Sequence, residues 1–414
     1  MVIKKVRVER LKPGIFIHDF DQGWLEIPFM RRSLMLTDDK MITKILEHGI
    51  HEVYIDTSKG DDISDAPTAE EAKAMTEKAV LDISGTEPAK VEESSFVQEI
   101  KRAGGIRKEA QTVITNTMES IRNGKQIDHR VVDKVVDDLV DSIFNNSSAL
   151  LCLNQIRDRD AYTFQHSVSV CTLMTTFCKA MKFKKDLTKQ VAVGALLHDL
   201  GKMFIPKEIL NKPSKLTPSE FDVMKSHVLL ARNAFKNYDG ISSSAENVIM
   251  QHHEKFDGSG YPHKLKGAEI SNIGLMGAIV DVYDALTANR CYHDGMSPTE
   301  ALQKIYEWST YHFKRDFVEH FIRTLGVYPT GTIVTLSSGF VAVVVETSTK
   351  GSTRPKVRVV FNSKSKTPVS PHIDVDLSDD NNIPIYGVIK NSELPGTWNI
   401  DAIGLLTKNI PVAV

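Results

Sequence analysis

Apolar and polar positions alternate at the start of the chain. Val6 and Val8, then Ile15 and Ile17, fall two apart on either side of Pro13-Gly14, which predicts short strands joined by a turn. Ile42, Ile45 and Leu46 follow the spacing of one helical face, and Gly49 is placed to stop that helix before Val53-Tyr54-Ile55 returns to strand. Residues 1–60 therefore read as a small α+β domain. The pattern then fades. Between residues 61 and 100 eleven acidic residues face three lysines, so 61–96 reads as an acidic linker, with one helix expected over Thr68–Val80.

From residue 97 to 328 the helical period dominates. Val132, Val135, Val136, Leu139 and Ile143 trace one apolar face behind the N-cap candidate Asp128. Similar stripes recur across 160–181, 186–200, 217–238, 243–254, 271–289 and 313–325, while Gly104-Gly105 and Gly124 are expected to separate the earliest helices. After Tyr328-Pro329 the β-branched runs Thr332–Leu336, Val341–Val345 and Val357–Phe361 predict a small β-rich appendage over 329–414. The expected protein is mainly α, a helical bundle between two small domains.

Composition narrows the function. The 414 residues carry 51 Lys+Arg against 53 Asp+Glu, a formal charge of -2, so no global basic field exists to drive duplex nucleic-acid binding. Apolar runs such as Val191–Leu197 fall far short of the ~20 residues that span a bilayer, and the start of the chain lacks the apolar core of a signal peptide. Cys152, Cys171, Cys178 and Cys291 form no C-x-x-C pair, which suits a reducing, cytoplasmic setting. Cys171 and Cys178, seven apart, read as small core residues.

The helical zone places polar side chains on otherwise apolar segments. His166 shares a face with Val170, Leu173 and Phe177; His198-Asp199 ends the run Val191–Leu197; His227 lies on the next amphipathic helix; His252-His253 ends another; and Asp281 sits inside the apolar stretch Leu275–Leu286. Singly, most of these have plainer readings: a satisfied core histidine, or a cationic His at a helix C-terminus. Together they recur at intervals of one helix plus a turn, so each helix of a bundle can send ligands into one core. Imidazole and carboxylate donors without thiolate suit Fe, Mn, Zn, Co or Ni. Asp199 is the candidate to bridge two such cations, which at ~3.5–4 Å separation generate a hydroxide nucleophile and neutralise a phosphoryl group. Lys202, three residues after Asp199, and Arg290 are candidates to hold phosphate oxygens.

His198-Asp199-Leu200-Gly201-Lys202, followed by His252-His253-Glu254-Lys255-Phe256-Asp257-Gly258-Ser259-Gly260-Tyr261-Pro262, resembles the HD-GYP family of bacterial metal-dependent cyclic dinucleotide phosphodiesterases. The likeness runs over about residues 150–325, through Asn211-Lys212-Pro213, Lys225-Ser226-His227 and Asp281–Thr287. Leu11-Lys12-Pro13-Gly14 and Pro28-Phe29 resemble the domain of unknown function that often precedes this module. The resemblance implies an all-α catalytic bundle. It also implies metal ligation by His166, His198, Asp199, His227, His252, His253 and Asp281, with Lys202 and Arg290 on the substrate phosphates. The loop at Tyr261 would shape the pocket and offer contacts to signalling proteins; pairing of two chains is a further expectation.

Two departures from the family bear on mechanism. Members with three metals carry a glutamate where this chain has Tyr162, so two divalent ions are expected, iron or manganese first. The common Arg-Pro-Tyr-Lys/Arg run stands here as Arg290-Cys291-Tyr292-His293, and His293, only partly charged near neutral pH, holds phosphate less strongly. Cyclic di-GMP and 3',3'-cyclic GMP-AMP are therefore both admissible substrates. The rivals are another HD-type hydrolase or oxygenase on small nucleotides, and a catalytically silent adaptor.

Overall fold

A computed structural model describes residues 2–21, 33–84, 96–154, 162–212, 214–235, 241–288, 295–346, 353–379 and 383–389. The N-terminal domain is an antiparallel sheet of β1 (Ile3–Arg7), β2 (Phe16–Asp19), β3 (Leu34–Met35) and β4 (Glu52–Asp56), ordered β1-β4-β2-β3. Helix α1 (Asp39–Glu47) starts at Asp38, whose carboxylate accepts from Met41 N at 3.0 Å. The alternating strand positions Val6, Ile15, Ile17, Val53 and Ile55 close over Ile45 of α1 in one small core.

The acidic stretch after β4 is more than a tether. Thr68 and Glu71 cap each other's backbone and open α2 (Ala69–Ser84), which buries Val80 in the main helical core while its acidic residues face outward. The helix expected over Thr68–Val80 is thus present, its end four residues further on, and it packs against the last two helices of the bundle.

Helix α3 (Phe96–Arg122) runs straight through Gly104-Gly105, contrary to the expected break. Ala103, Ile106, Ala110, Val113, Ile114, Met118 and Ile121 bury one continuous face, and that burial outweighs about 1 kcal/mol of helix propensity lost at each glycine. Gly124, at φ 72°, does lie just past the helix end. Then follow α4 (His129–Asn145), α5 (Ser147–Asn154), α6 (Tyr162–Ala180), α7 (Lys185–Leu197), the short α8 (Lys207–Leu210), α9 (Pro218–Lys225), α10 (His227–Ala234), α11 (Ser243–Gln251), α12 (Asn272–Thr287), α13 (Pro298–Trp308) and α14 (Arg315–Leu325). Asp128 caps α4 as expected, accepting from Arg130 N. α12 is buried on every side from Gly274 to Leu286, the mark of a helix at the centre of a bundle. Cys171 and Cys178 are core residues, and burial pushes the Cys171 thiol up to about 12.

The C-terminal sheet comprises β5 (Ile333–Leu336), β6 (Phe340–Glu346), β7 (Lys356–Asn362), β8 (Thr367–Asp376) and β9 (Ile385–Val388), antiparallel in the order β8-β7-β6-β5-β9. Its central strands are buried on both faces. Ile333, Val341, Val343 and Val345 join the helical core, while the alternate residues Val334, Ala342 and Val344 form a separate small core.

The N-terminal domain is seated on the helical domain by a network of charges. Lys5 Nζ lies 3.2 Å from Asp21, 3.2 Å from Glu52 and 3.0 Å from Glu307 of α13; Lys304 of α13 pairs with both Asp21 and Glu307. The acids more than offset the burial of Lys5 and hold its ammonium firmly protonated.

Candidate metal centre

Five helices or helix ends converge on one buried point. His166 projects from α6, His198 from the last turn of α7, His227 from the first turn of α10, His252 and His253 from the end of α11, and Asp281 from the middle of α12. After His198 the helix tightens into a 3-10 turn over Leu200–Phe204, with Asp199 at its start. Gly201 makes this turn possible: a Cβ there would lie 1.8 Å from the His227 carbonyl and 2.7 Å from Ala231 N, so any side chain would push α10 and its ligand away.

The imidazoles are oriented from behind. His198 Nδ1 donates to Ala195 O at 2.8 Å, His227 Nδ1 to Met224 O at 2.7 Å, and His252 Nδ1 to Ile249 O at 2.8 Å. A carbonyl only accepts, so each Nδ1 carries a hydrogen and each Nε2 faces the interior. His166 Nδ1 is held at 2.7 Å by Asp284, one turn beyond Asp281 on α12. Such a partner fixes the ring and raises the basicity of the far nitrogen.

The carboxylates divide the histidines into two sets. Asp199 Oδ2 lies 3.6 Å from His166 Nε2 and 3.3 Å from His198 Nε2, whereas its Oδ1 faces His227 Nε2 at 3.5 Å. Asp281 Oδ1 lies 3.0 Å from His166 and 3.6 Å from His198, with Oδ2 3.7 Å from His253 Nδ1. Two groups of potential ligands result, His166-His198-Asp199 and Asp199-His227-His252-His253, sharing one carboxylate.

These donors fit a divalent metal. His198 Nε2, Asp199 Oδ1, His227 Nε2 and His252 Nε2 are buried with no hydrogen-bond partner among the described residues, an expensive arrangement unless a cation takes the lone pairs. The electrostatics agree. Burial pulls His198 down, but Asp199 and Asp281 outweigh it and lift its pKa to about 10. Burial dominates at His252 and His227, holding them at about 3 and about 4. Burial raises Asp199, yet Lys202 and His198 more than offset this and keep it ionised well below the usual carboxylate range. Lys202 Nζ donates to Asp199 Oδ2 at 2.6 Å with its side chain about a quarter exposed, so the ammonium stands at the edge of the cluster.

Sequence profiles of known families match the chain in three places: an HD domain over residues 151–316, a domain of unknown function (DUF3391) over 3–132, and a KOW domain associated with HD domains over 333–396. A cyclic di-GMP phosphodiesterase of Pseudomonas aeruginosa is 34% identical over 380 residues, covering 91% of this chain and 89% of that protein. The chain belongs to the HD-domain family. Shorter matches join this HD domain to a 3'3'-cGAMP-specific phosphodiesterase of Vibrio cholerae, 37% identical over 38% of this chain and 36% of that one. A cyclic di-GMP phosphodiesterase of Thermotoga maritima is 30% identical over 50% and 56% of the respective chains.

Of the residues singled out in sequence, the HD domain brings His166, His198, Asp199, Lys202, His227, His252, His253 and Asp281 together. Arg290 and His293 lie outside the described residues, and so does the side chain of Tyr162, although its backbone opens α6. Tyr261 folds back onto the cluster, its ring 4.7 Å from His253 and 6.4 Å from His227. Two residues were missed. Asp284 was visible as a second carboxylate at i+3 from Asp281 in an apolar run. Glu254 follows the paired histidines directly; its carboxylate accepts from His263 N at 2.7 Å and Leu265 N at 3.0 Å, closing the loop that carries Tyr261.

Proposed function

We propose that the chain is a metal-dependent phosphodiesterase that opens a 3',5'-cyclic dinucleotide, cyclic di-GMP or 3',3'-cyclic GMP-AMP, to a linear dinucleotide. The observation that carries this reading is the carboxylate of Asp199, whose two oxygens face two separate imidazole sets. Such a bridge suits two divalent ions, iron or manganese first, held by His166, His198, Asp199, His227, His252, His253 and Asp281. When bound, ions of this kind lower the pKa of a water and offset charge growing on a phosphoryl group.

The protein's own residues do the rest. Asp284 and the backbone carbonyls behind His198, His227 and His252 keep the ligand rings from turning. Lys202, already anchored beside Asp199, presents an ammonium to a phosphate oxygen or to the departing ribose oxygen. Tyr261 walls the site next to His253 and offers a flat apolar face to a base or sugar. Arg290 and His293 are the further candidates for the phosphates. Substrate class is supported by the named activities of the relatives, which include both dinucleotides, and a cytoplasmic location follows from such a messenger.

Parallel incubations with cyclic di-GMP and cyclic GMP-AMP, with manganese and iron supplied separately, test the reading by chromatography of the products. A linear 5'-phosphorylated dinucleotide is expected from at least one pairing. Intact substrate in every arm, with metal bound, would overturn it.

A further inference from the structure

The N-terminal domain touches the helical domain on the very loop that ends at Tyr261. His51, just before β4, reaches across the boundary and its Nε2 donates to Asp257 Oδ2 at 2.8 Å, while its ring stacks on Tyr311 at 4.1 Å and 11°. Gly49, at φ 69°, lies against Ser259: a Cβ there would stand 2.5 Å from Ser259 Oγ. From the helical side, His312 Nε2 donates to Gly49 O at 2.9 Å, and the His312 carbonyl accepts from Phe256 N at 2.9 Å. Burial keeps the His312 ring neutral, at about 3, so one nitrogen alone carries hydrogen and it is committed to Gly49.

The loop so gripped is short and would otherwise be mobile. Gly258-Ser259-Gly260 is the kind of sequence that loses the most freedom on being ordered. At its near end Asp257 Oδ1 accepts from Ser259 N at 2.9 Å and Ser259 Oγ at 2.7 Å. At its far end Tyr261 N donates to His253 O at 3.1 Å, and the Tyr261 ring lies on His253. A bond from the N-terminal domain at residue 257 is therefore four residues from the wall of the metal centre.

We propose that the N-terminal domain serves as a clasp on the loop 255–263, and that His51 is its positioning residue, acting through Asp257 to hold Tyr261 where substrate meets the site. This gives the domain of unknown function a role: it tunes affinity for the cyclic dinucleotide without touching the metal ligands. The kinetic consequence rests on the phosphodiesterase reading, whereas the clasp itself does not. Since His252 and His253 are fixed by α11 upstream of the loop, loosening the loop shifts the wall and leaves the ligands in place. The expected signature is a changed KM with kcat preserved.

The test uses the full chain. His51→Ala should raise KM by about fivefold or more with kcat within about twofold and metal content equal to wild type. His51→Gln, whose amide N–H reaches the same carboxylate, should restore most of the affinity. Asp257→Ala breaks the same bond from the other side, and the double variant should be no worse than the single ones. Hydrogen exchange of substrate-free protein supplies a readout independent of turnover: amides 257–261 should exchange faster in His51→Ala. Unchanged exchange there would overturn the clasp even if the enzyme is active. Faster exchange would uphold it even if no cyclic dinucleotide is hydrolysed. Additive effects in the double variant would overturn it, as would equal loss of kcat and metal. Loss of one metal equivalent in His51→Ala alone would replace the clasp with a cation seated among His51, Asp257 and His312.

Discussion

Two clusters of histidine and aspartate stand out among the described residues, and they are built differently. In the bundle, the outward nitrogens of His198, His227 and His252 are spent on backbone carbonyls and the inward ones make no hydrogen bond among the described residues. At the domain boundary the reactive nitrogens are already used: His51 Nε2 on Asp257, and His312 Nε2 on Gly49 O. The first cluster leaves four buried donor atoms unpaired, an oxygen of its carboxylate among them; the second leaves His312 Nδ1 alone, and both oxygens of Asp257 are hydrogen-bonded. Residue type alone does not distinguish them. What separates a ligand set from a joint is whether the carboxylate and the imidazoles around it are left unpaired together.

Breaking the shared carboxylate should have the largest effect. Asp199→Ala removes the oxygen pair that faces both imidazole sets, so turnover should fall by about a thousandfold or more, with metal content reduced as well. Assays of the purified variant alongside metal analysis check this; a variant with wild-type rates would refute the shared site. Next comes Asp284→Ala, which leaves every ligand in place and removes the carboxylate that holds His166 Nδ1. Loss of such a supporting carboxylate typically weakens metal binding about 10–100-fold. Competition with a chelator measures it, and the boundary joint should be indifferent, with hydrogen exchange at 257–261 unchanged.

The contrast also explains what the sequence made visible. The bundle ligands sit on amphipathic helices at helix-sized intervals, so a local periodicity exposes them: an inward His among Val170, Leu173 and Phe177 on one face, a buried Asp281 in an apolar run. The joint has no such signature. His51 lies 206 residues from Asp257 and His312 263 residues from Gly49, and nothing in the local pattern of either segment announces the contact. Gly104-Gly105 misled for the related reason that propensity is local and weak. The buried face of α3 is set by α4, α5 and α6, and it keeps the helix whole. For the acidic stretch before it, composition sees the exposed face of α2 and overlooks its buried Val80 and Ser84.

Protons provide the smallest and most discriminating perturbation. In metal-free protein the His198 pKa stands at about 10 against an ordinary 6.5, because Asp199 and Asp281 outweigh the burial that lowers it. His166 is raised too: burial pulls it down, and hydrogen bonds to Asp281 and Asp284 more than offset that. A raised folded-state pKa means stabilisation present in full below pH 6.5 and lost as pH climbs through about 10. His227 and His252 run the other way. Burial holds them at about 4 and about 3, so their contribution is present above pH 6.5 and lost as pH falls through those values. The chelated protein should therefore melt highest near pH 6.5, with stability falling by at most ~1.4 kcal/mol per pH unit for each titrating group on either side. Metal takes the place of the protons on His198 and His166, so loading slightly above neutrality should release protons, seen as a dependence of the binding heat on buffer ionisation enthalpy. It should also flatten the alkaline limb of the melting profile. Loading with no proton release would mean that both rings are neutral beforehand, and that Asp199 and Asp281 are balanced by Lys202 in place of the imidazoles.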